Sequence, residues 1–266
     1  TRTVRDSRKE IMDAFRAELD AYYTSLCPGL ILNGKITENP KEKGVITISY
    51  AFLEDKDLED WHLDKNSGKS PAMKRGKGQV EISGRVVLRP VFVGDVTVEF
   101  VAAAMNKEAL NINLFINDNT RKDGWFFGIG TIRDKTQREI HVNPPEGRSY
   151  PRLLPCEIVA HYGDNYQPNR IYYGGNAAKA TANVKYRITV VHANDKVSFS
   201  VGGVKLAEFN EEIENDTMGR IGFHAFDSTI VVDRVVVKGA LDPDWVKAEV
   251  GKMVDAKCNS IVKPRK

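Results

Sequence analysis

The chain has 266 residues, of which 41% are hydrophobic and 28% charged, and its formal net charge is +3. This composition is typical of a globular protein with room for one large all-β domain or two smaller domains. So small a net charge argues against nucleic acid or a membrane surface as a partner. The sequence also lacks an apolar run of the about 20 residues that a membrane-spanning helix needs.

Three cysteines, Cys27, Cys156 and Cys258, are too far apart in the sequence to form a zinc motif or a disulfide framework. Cys27 and Cys258 each end a predicted terminal helix, so a disulfide between them is one alternative. Free buried thiols are the other. The chain starts with Thr1 and has no signal peptide, so we expect a mature or trimmed chain whose compartment the sequence leaves open.

The first segment, residues 1–29, predicts an amphipathic helix that Pro28 and Gly29 end. Its apolar residues recur on one face of a 3.6-residue period. Such a stripe needs a surface, so we expect the helix to dock on the following domain or to pack on a partner in an assembly. The stripe consists of Ile11, Phe15, Leu19, Tyr22 and Leu26.

In the domain predicted for residues 30–240, the apolar period changes to two from about residue 44. Ile46, Ile48 and Tyr50, for example, alternate with Thr47 and Ser49, which predicts strands with one face in a core and one in water. About a dozen such strands, joined by turn signals, predict an all-β fold, a two-sheet antiparallel jelly-roll sandwich with one helix at each terminus.

One segment within the sandwich and one after it do not show this alternation. Residues 133–182 are rich in proline and glycine and contain only short apolar runs; an irregular insert of this length is usually functional or covers a sheet edge. Residues 241–266 predict a C-terminal helix and tail, which Asp242 and Pro243 start as N-cap and first-turn proline.

Three stretches resemble the concanavalin A-like lectin/glucanase β-sandwiches, which include laminarin-G modules and the 3-keto-disaccharide hydrolases. They are YRITVVHANDKVSFSVGGVKLAEF at 186–209, GRIGFHAFDSTIVVDRVVVKG at 219–239, and the opening at 58–100. The resemblance implies the same sandwich and favours a secreted or periplasmic protein. The acid triad of the laminarinases is missing, because Thr97 stands between Asp95 and Glu99 where the central acid would be.

Asp233 shares its strand parity with the valines at 231, 235 and 237, so we expect its carboxylate to face the core with them. A buried carboxylate must be paired, hydrogen-bonded or bound to a metal. In the resembling family an acid at this place sometimes helps to hold a structural calcium ion, which is the one cofactor that we expect. A salt bridge at a sheet edge is the alternative.

Two polar segments contain the residue types of a sugar site, where polar side chains bind hydroxyl groups and aromatic rings stack on the sugar. One runs over 117–125 and the other over 161–173. The alternatives are an ordinary turn before a core tryptophan and a loop folded over the sandwich. The predicted ligand-binding residues are Asp118, Asp123, Trp125, His161, Tyr162, Arg170 and Tyr172.

The sequence contains no complete catalytic signature, and its five histidines lack metal-ligand spacing. The leading hypothesis is therefore a non-catalytic carbohydrate-binding or interaction module, whose partner is a carbohydrate or another protein. One alternative is a saccharide-processing hydrolase or lyase of the same fold, which needs facing carboxylates across a cleft. The other is a structural subunit that oligomerises through its terminal helices.

Overall fold

A computed structural model describes residues 4–26, 29–39, 41–64, 70–105, 112–116, 124–129, 156–161, 168–173, 182–193, 196–210 and 219–262. The two helices are α1 (Val4–Leu26) and α2 (Pro243–Val262), and a short 3-10 helix covers Asp55–Leu58. The strands are β1 (Lys35–Glu38), β2 (Val45–Tyr50), β3 (Trp61–Leu63), β4 (Ala72–Arg75), β5 (Val80–Leu88), β6 (Phe92–Ala104), β7 (Ile112–Ile116), β8 (Gly124–Ile129), β9 (Cys156–His161), β10 (Pro168–Tyr173), β11 (Tyr186–Ala193), β12 (Lys196–Val201), β13 (Val204–Asn210) and β14 (Gly222–Leu241).

Two bent strands, β5 and β14, run through both layers of the sandwich. Residues 229–241 of β14 form the first sheet, in the order β1, β2, β14, β6, β11, β12, β13. Residues 80–83 of β5 join this sheet beside residues 229–232 of β14, and β4 pairs with the same part of β5. Residues 222–225 of β14 form the second sheet, in the order β3, β5, β14, β7, β8, β9, β10. Every strand pair is antiparallel, so the predicted two-sheet antiparallel sandwich with a helix at each end is confirmed.

An aromatic cluster joins the two sheets across the core. Phe100 of the first sheet meets Phe223 of the second edge to face, with ring centroids 5.1 Å apart. Trp61 stacks on Phe223 at 5.7 Å and meets Tyr50 of the first sheet at 5.6 Å. All four side chains are buried, and each buried ring contributes roughly 1.5–3 kcal/mol through the hydrophobic effect.

The bend in β5 falls at Gly84, which has φ of +68°. A Cβ atom at this position would lie 2.9 Å from the Cα atom of Pro71. Glycine is therefore required both by the backbone conformation and by the close approach of the neighbouring chain. The register of β14 shifts opposite this bend, between Ala225 and Thr229, so β14 bends at the same level as β5.

A second register shift in β14 lies between Val232 and Arg234 and leaves Asp233 in a bulge. The shift resets the alternation, so Val232 and Val235 are buried whereas Asp233 is half-buried. The expectation that Asp233 faces the core with Val235 is therefore wrong. A bulge depends on how a strand pairs with its neighbour, so the alternation of residues within one strand does not predict it.

Helix α1 docks on the rest of the molecule, as one of the two sequence alternatives predicts. Phe15 and Leu19 are half-buried against the core as expected, but Met12 and Tyr23 accompany them. Met12 therefore takes the place predicted for Ile11, and Tyr23 the place predicted for Tyr22. Ile11 and Tyr22 are 68% and 58% exposed. Assembly through the terminal helices stays a prediction.

Helix α2 packs Val250, Val254 and Cys258 into the core. Cys258 is a buried free thiol, so the free-thiol alternative describes it, while Cys27 lies outside the described residues. An exposed ion pair of 2.8 Å between Arg16 and Asp255 joins α1 to α2. Neither helix is long and apolar enough to cross a membrane, within the part of the chain that the structure describes.

A fully buried carboxylate, that of Asp60, fixes the chain segment between α1 and β1. Its Oδ2 accepts hydrogen bonds from the backbone N–H groups of Asn33 at 2.7 Å and Gly34 at 3.0 Å, and from the Tyr50 hydroxyl at 2.9 Å. Its Oδ1 lies 3.9 Å from Arg89, which in turn binds Glu249 of α2 at 2.5 Å. The network thus ties both terminal regions to the sandwich.

The hydroxyl of Tyr50 leads to a pH-dependent prediction. Burial, followed by the negative charge of Asp60 and the hydrogen bond to it, raises the pKa of Tyr50 well above its usual 10.0. Above pH 10.0 the Tyr50 hydroxyl loses its proton in the unfolded chain but keeps it in the folded protein. The unfolded state then binds fewer protons, so the free energy of unfolding falls as the pH rises. We expect the free energy of unfolding to lose up to about 1.4 kcal/mol per pH unit there.

Urea unfolding of the wild type and of Tyr50→Phe, from about pH 8 to about pH 11, tests this prediction. Phenylalanine removes the ionisable group and keeps the ring in the aromatic cluster, so we expect a shallower alkaline slope in the variant. Equal slopes in both proteins would mean that other groups cause the alkaline loss and would contradict the prediction.

Candidate functional site

Arg85 and His224 lie side by side on the outer face of the second sheet. They pair across β5 and β14, and their neighbours Val86 and Phe223 are fully buried on the opposite, core-facing side. Because side chains alternate along a strand, Arg85 and His224 point away from the core. Arg85 is nevertheless mostly buried, and His224 is half-buried.

Asp64 holds the guanidinium of Arg85 in place. Its backbone N–H donates a hydrogen bond of 3.0 Å to the carbonyl of Arg85, and its Oδ2 lies 3.2 Å from Nε of Arg85. Both side chains are largely shielded from water, so the two charges attract each other more strongly than an exposed pair does. The contact between Nε and Oδ2 is ionic and lacks hydrogen-bond geometry. It keeps the guanidinium beside Asp64 on the outer face of the sheet.

The strand register extends this arrangement across the rest of the second sheet. Leu114 of β7 pairs with Phe223, so Asn113 is the next residue of β7 in the register toward His224. Asn113 pairs with Gly128 of β8. Gly128 pairs in turn with Glu157 of β9, and Glu157 pairs with Tyr173 of β10. Cross-strand partners share one face of a sheet. We call this set the polar row: Asp64, Arg85, His224, Asn113, Glu157 and Tyr173.

The polar row combines the hydrogen-bonding groups that recognise hydroxyl-rich ligands. Among the described side chains, the guanidinium of Arg85 and the imidazole of His224 donate, and the carboxylate of Asp64 accepts. The backbone register adds Asn113, Glu157 and Tyr173 at positions on the same face. Gly128 places a position without a side chain in the middle of the row. Chemically, the row suits a polar, uncharged ligand that lies across the strands.

His62 lies on the same face as the polar row, because it pairs with Val87 next to it. Partial burial, followed by the positive charges of Arg89 and Arg220, lowers the pKa of His62. The imidazole is therefore neutral at pH 7, and it can both donate and accept a hydrogen bond.

A second surface lies on the outer face of the first sheet. Glu99, Val101, Arg187, Arg234 and Val236 line a shallow depression of about 200 Å³. Arg187 and Arg234 flank Val101 on neighbouring strands, and Nη2 of Arg187 lies 2.9 Å from Oε2 of Glu99. We call this the basic depression.

The predicted metal ligand Asp233 forms an ion pair in the structure. Its Oδ2 lies 2.6 Å from Nζ of Lys185, and its side chain is 26% exposed. Oδ1 is buried without a hydrogen-bond partner. Among the described residues, no group of three or more His, Cys, Asp or Glu side chains could hold a metal ion. A calcium ion at Asp233 stays a prediction, whereas the salt-bridge alternative is observed.

The predicted sugar ligands fall into two sets. Asp118, Asp123 and Tyr162 lie outside the described residues, as do most of the insert residues 133–182. The other four occupy described backbone positions in β8, β9 and β10 and are Trp125, His161, Arg170 and Tyr172.

The register separates these four positions between the two faces of the second sheet. Trp125 and Arg170 both pair with Ala160 and so share one face, and Tyr172 lies on that face two residues further along β10. His161 occupies the other face, which is that of the polar row. The structure therefore does not bring the four together, and their role as saccharide ligands stays a prediction.

No protein family model matches the chain, and no curated protein matches it. Solved structures do match in shape. A protein of unknown function with a galectin-like fold from Bacillus subtilis superposes with a TM-score of 0.51 at 9% identity, over 72% of this chain and 96% of that one. The chain thus has a lectin-like β-sandwich fold, which agrees with the concanavalin A-like resemblance of its sequence.

Two further structures are similar at lower scores. The potassium-bound carbohydrate recognition domain of Emp46p has a TM-score of 0.48 at 11% identity, over 71% of this chain and 94% of that one. The Crh5 transglycosylase in complex with NAG has a TM-score of 0.49 at 13% identity, over 83% of this chain and 93% of that one. At such identities a likeness shows the fold alone.

Proposed function

We propose that the protein is a non-catalytic carbohydrate-binding module that holds a saccharide on the outer face of the second sheet, along the polar row. The supporting observation is the side-by-side placement of Asp64, Arg85 and His224 on that face. The strand register continues this placement toward β10. Saccharides expose many hydroxyl groups at close spacing, and neighbouring donors and acceptors can bind several of them at once.

The placement of Arg85 favours binding by a preformed site. Its side chain is mostly buried beside Asp64 before a ligand arrives, which limits the side-chain entropy lost on binding. His224 and His62 flank this donor with imidazole groups, which form hydrogen bonds through both ring nitrogens. The resemblance-based expectations of a structural calcium ion and of a secreted or periplasmic location accompany the proposal.

Replacing His224 with alanine tests the position of the site. A glycan array identifies a saccharide for the wild type, and calorimetry then measures its dissociation constant for wild type and variant. We expect binding to weaken about 10-fold, because a lost hydrogen bond costs on the order of 1 kcal/mol and exposes its ligand partner.

Thr47→Ala is the matched control, since Thr47 is half-buried on the outer face of the first sheet. We expect it to bind like the wild type. If no saccharide on the array binds the wild type, the proposed function is wrong. If His224→Ala binds as tightly as Thr47→Ala, the saccharide does not occupy the polar row.

The enzymatic alternative, a hydrolase or lyase, needs two acids that face each other across about 5–10 Å. Asp64 and Glu157 of the polar row are five strands apart in the second sheet, roughly 24 Å at the usual strand spacing, which favours binding over catalysis. Incubating the identified saccharide with the protein, followed by chromatography of the products, distinguishes the two functions. If the protein converts the saccharide and Glu157→Gln abolishes this turnover, the protein is an enzyme and the proposed binding function is wrong.

A further inference from the structure

The basic depression on the first sheet is a compact, open site with an apolar floor and a charged rim. Val101 and Val236 form the floor, and Glu99, Arg187 and Arg234 form the rim. Sites for drug-sized ligands measure about 300–1,000 Å³, so a depression of about 200 Å³ fits one small unit. A longer ligand would continue along the open face of the sheet.

Arg234 supplies the unpaired cation of the basic depression, within the part of the chain that the structure describes. Its neighbours along β14 are paired, Asp233 with Lys185 at 2.6 Å and Lys238 with Glu42 at 2.8 Å. Arg187 is likewise paired with Glu99. Arg234 is exposed and makes no ion pair in the described residues, so the depression has a net charge of one positive unit.

We propose that the basic depression binds the uronic acid unit of an acidic saccharide. The carboxylate would pair with the guanidinium of Arg234, a planar group that binds carboxylates with two parallel hydrogen bonds. The apolar C–H face of the sugar ring would cover Val101 and Val236, and the Glu99–Arg187 pair would contact its hydroxyl groups. This site lies on the opposite side of the sandwich from the polar row and does not depend on it.

Calorimetric titration with a trisaccharide of galacturonic acid at low salt tests the proposal. We expect Arg234→Gln to weaken binding about 10-fold or more, because a charge-assisted hydrogen bond is lost. Lys238→Gln is the matched control: it removes the same charge from the same strand, but at a residue already paired with Glu42. We expect it to change the dissociation constant by about 2-fold at most.

Three results would overturn the proposal. The first is absence of binding of the trisaccharide to the wild type. The second is an equal loss in Arg234→Gln and Lys238→Gln, which would indicate a general effect of net charge. The third is equally tight binding of the neutral galactose trisaccharide, which would mean that the carboxylate is not recognised. Full binding by His224→Ala alongside loss in Arg234→Gln supports a site separate from the polar row.

Discussion

The variant Asp60→Ala is expected to lose about 3–5 kcal/mol of its free energy of unfolding, the usual cost of removing one member of a buried charge network. The carboxylate of Asp60 accepts hydrogen bonds from Asn33, Gly34 and Tyr50. Alanine leaves these buried donors unsatisfied, at about 1–3 kcal/mol each before any relaxation. Urea unfolding followed by tryptophan fluorescence measures the loss.

The structure explains why no relaxation can replace the lost acceptor cheaply. Gly34 packs so closely that a Cβ atom there would lie 2.6 Å from Ile48 and 2.7 Å from Tyr50. The segment therefore cannot shift toward the sheet. Water could reach the vacated space only by opening the contact between this segment and β2, which would expose the aromatic cluster.

Asp255→Ala is the matched control, because it removes an aspartate whose ion pair with Arg16 is exposed. Such pairs contribute about 0–1 kcal/mol. If Asp60→Ala loses no more than Asp255→Ala, the buried network does not stabilise the fold. Tyr50→Phe removes a single hydrogen-bond donor from the same carboxylate. Its loss of unfolding free energy at neutral pH should therefore lie between those of Asp60→Ala and Asp255→Ala, at about 1 kcal/mol.

The sequence predicts the layers of this fold well where the evidence is local. The alternation of Val96, Val98 and Phe100 in β6, and of Ile188 and Val190 in β11, appears directly as buried positions. Period-two alternation reports one buried face whatever the neighbouring strand is. The two terminal helices and the all-β class follow from the same kind of local pattern.

Features that depend on pairing could not be predicted in this way. Asp233 leaves the core face because of a bulge opposite β6, and Asp60 is buried because segments 26 residues apart meet there. The polar row has the same origin. Arg85 and His224 are 139 positions apart in the sequence and become neighbours only because β5 pairs with β14. The sequence shows a polar residue at an outward position in each strand. It does not show which strands pair with each other.

The sequence-based sugar site illustrates the same limit. Trp125 and His161 both have residue types suited to saccharides, yet β8 and β9 place them on opposite faces of the second sheet. The composition of a segment shows which ligand its side chains could bind. The strand register decides which of these side chains lie on the same face and can bind it together. The polar row is therefore the better-supported candidate on this sheet.

Phe223→Ala is expected to have the other large effect, a loss of about 3–5 kcal/mol in the free energy of unfolding. Phe223 is fully buried and contacts Trp61 and Phe100, so alanine leaves a cavity between the two sheets. The residue also precedes His224, and its anchoring in the core directs that imidazole outward. We therefore expect weaker saccharide binding together with the lost stability.

Two controls separate packing from general damage. Val204→Ala truncates an exposed apolar side chain and should change stability by about 0.5 kcal/mol or less. Phe223→Leu refills most of the cavity and should recover more than half of the loss, together with the affinity. If Phe223→Ala behaves like Val204→Ala in urea unfolding, the aromatic cluster does not hold the sheets together. If stability falls while affinity stays at the wild-type value, the orientation of His224 does not depend on the core beneath it.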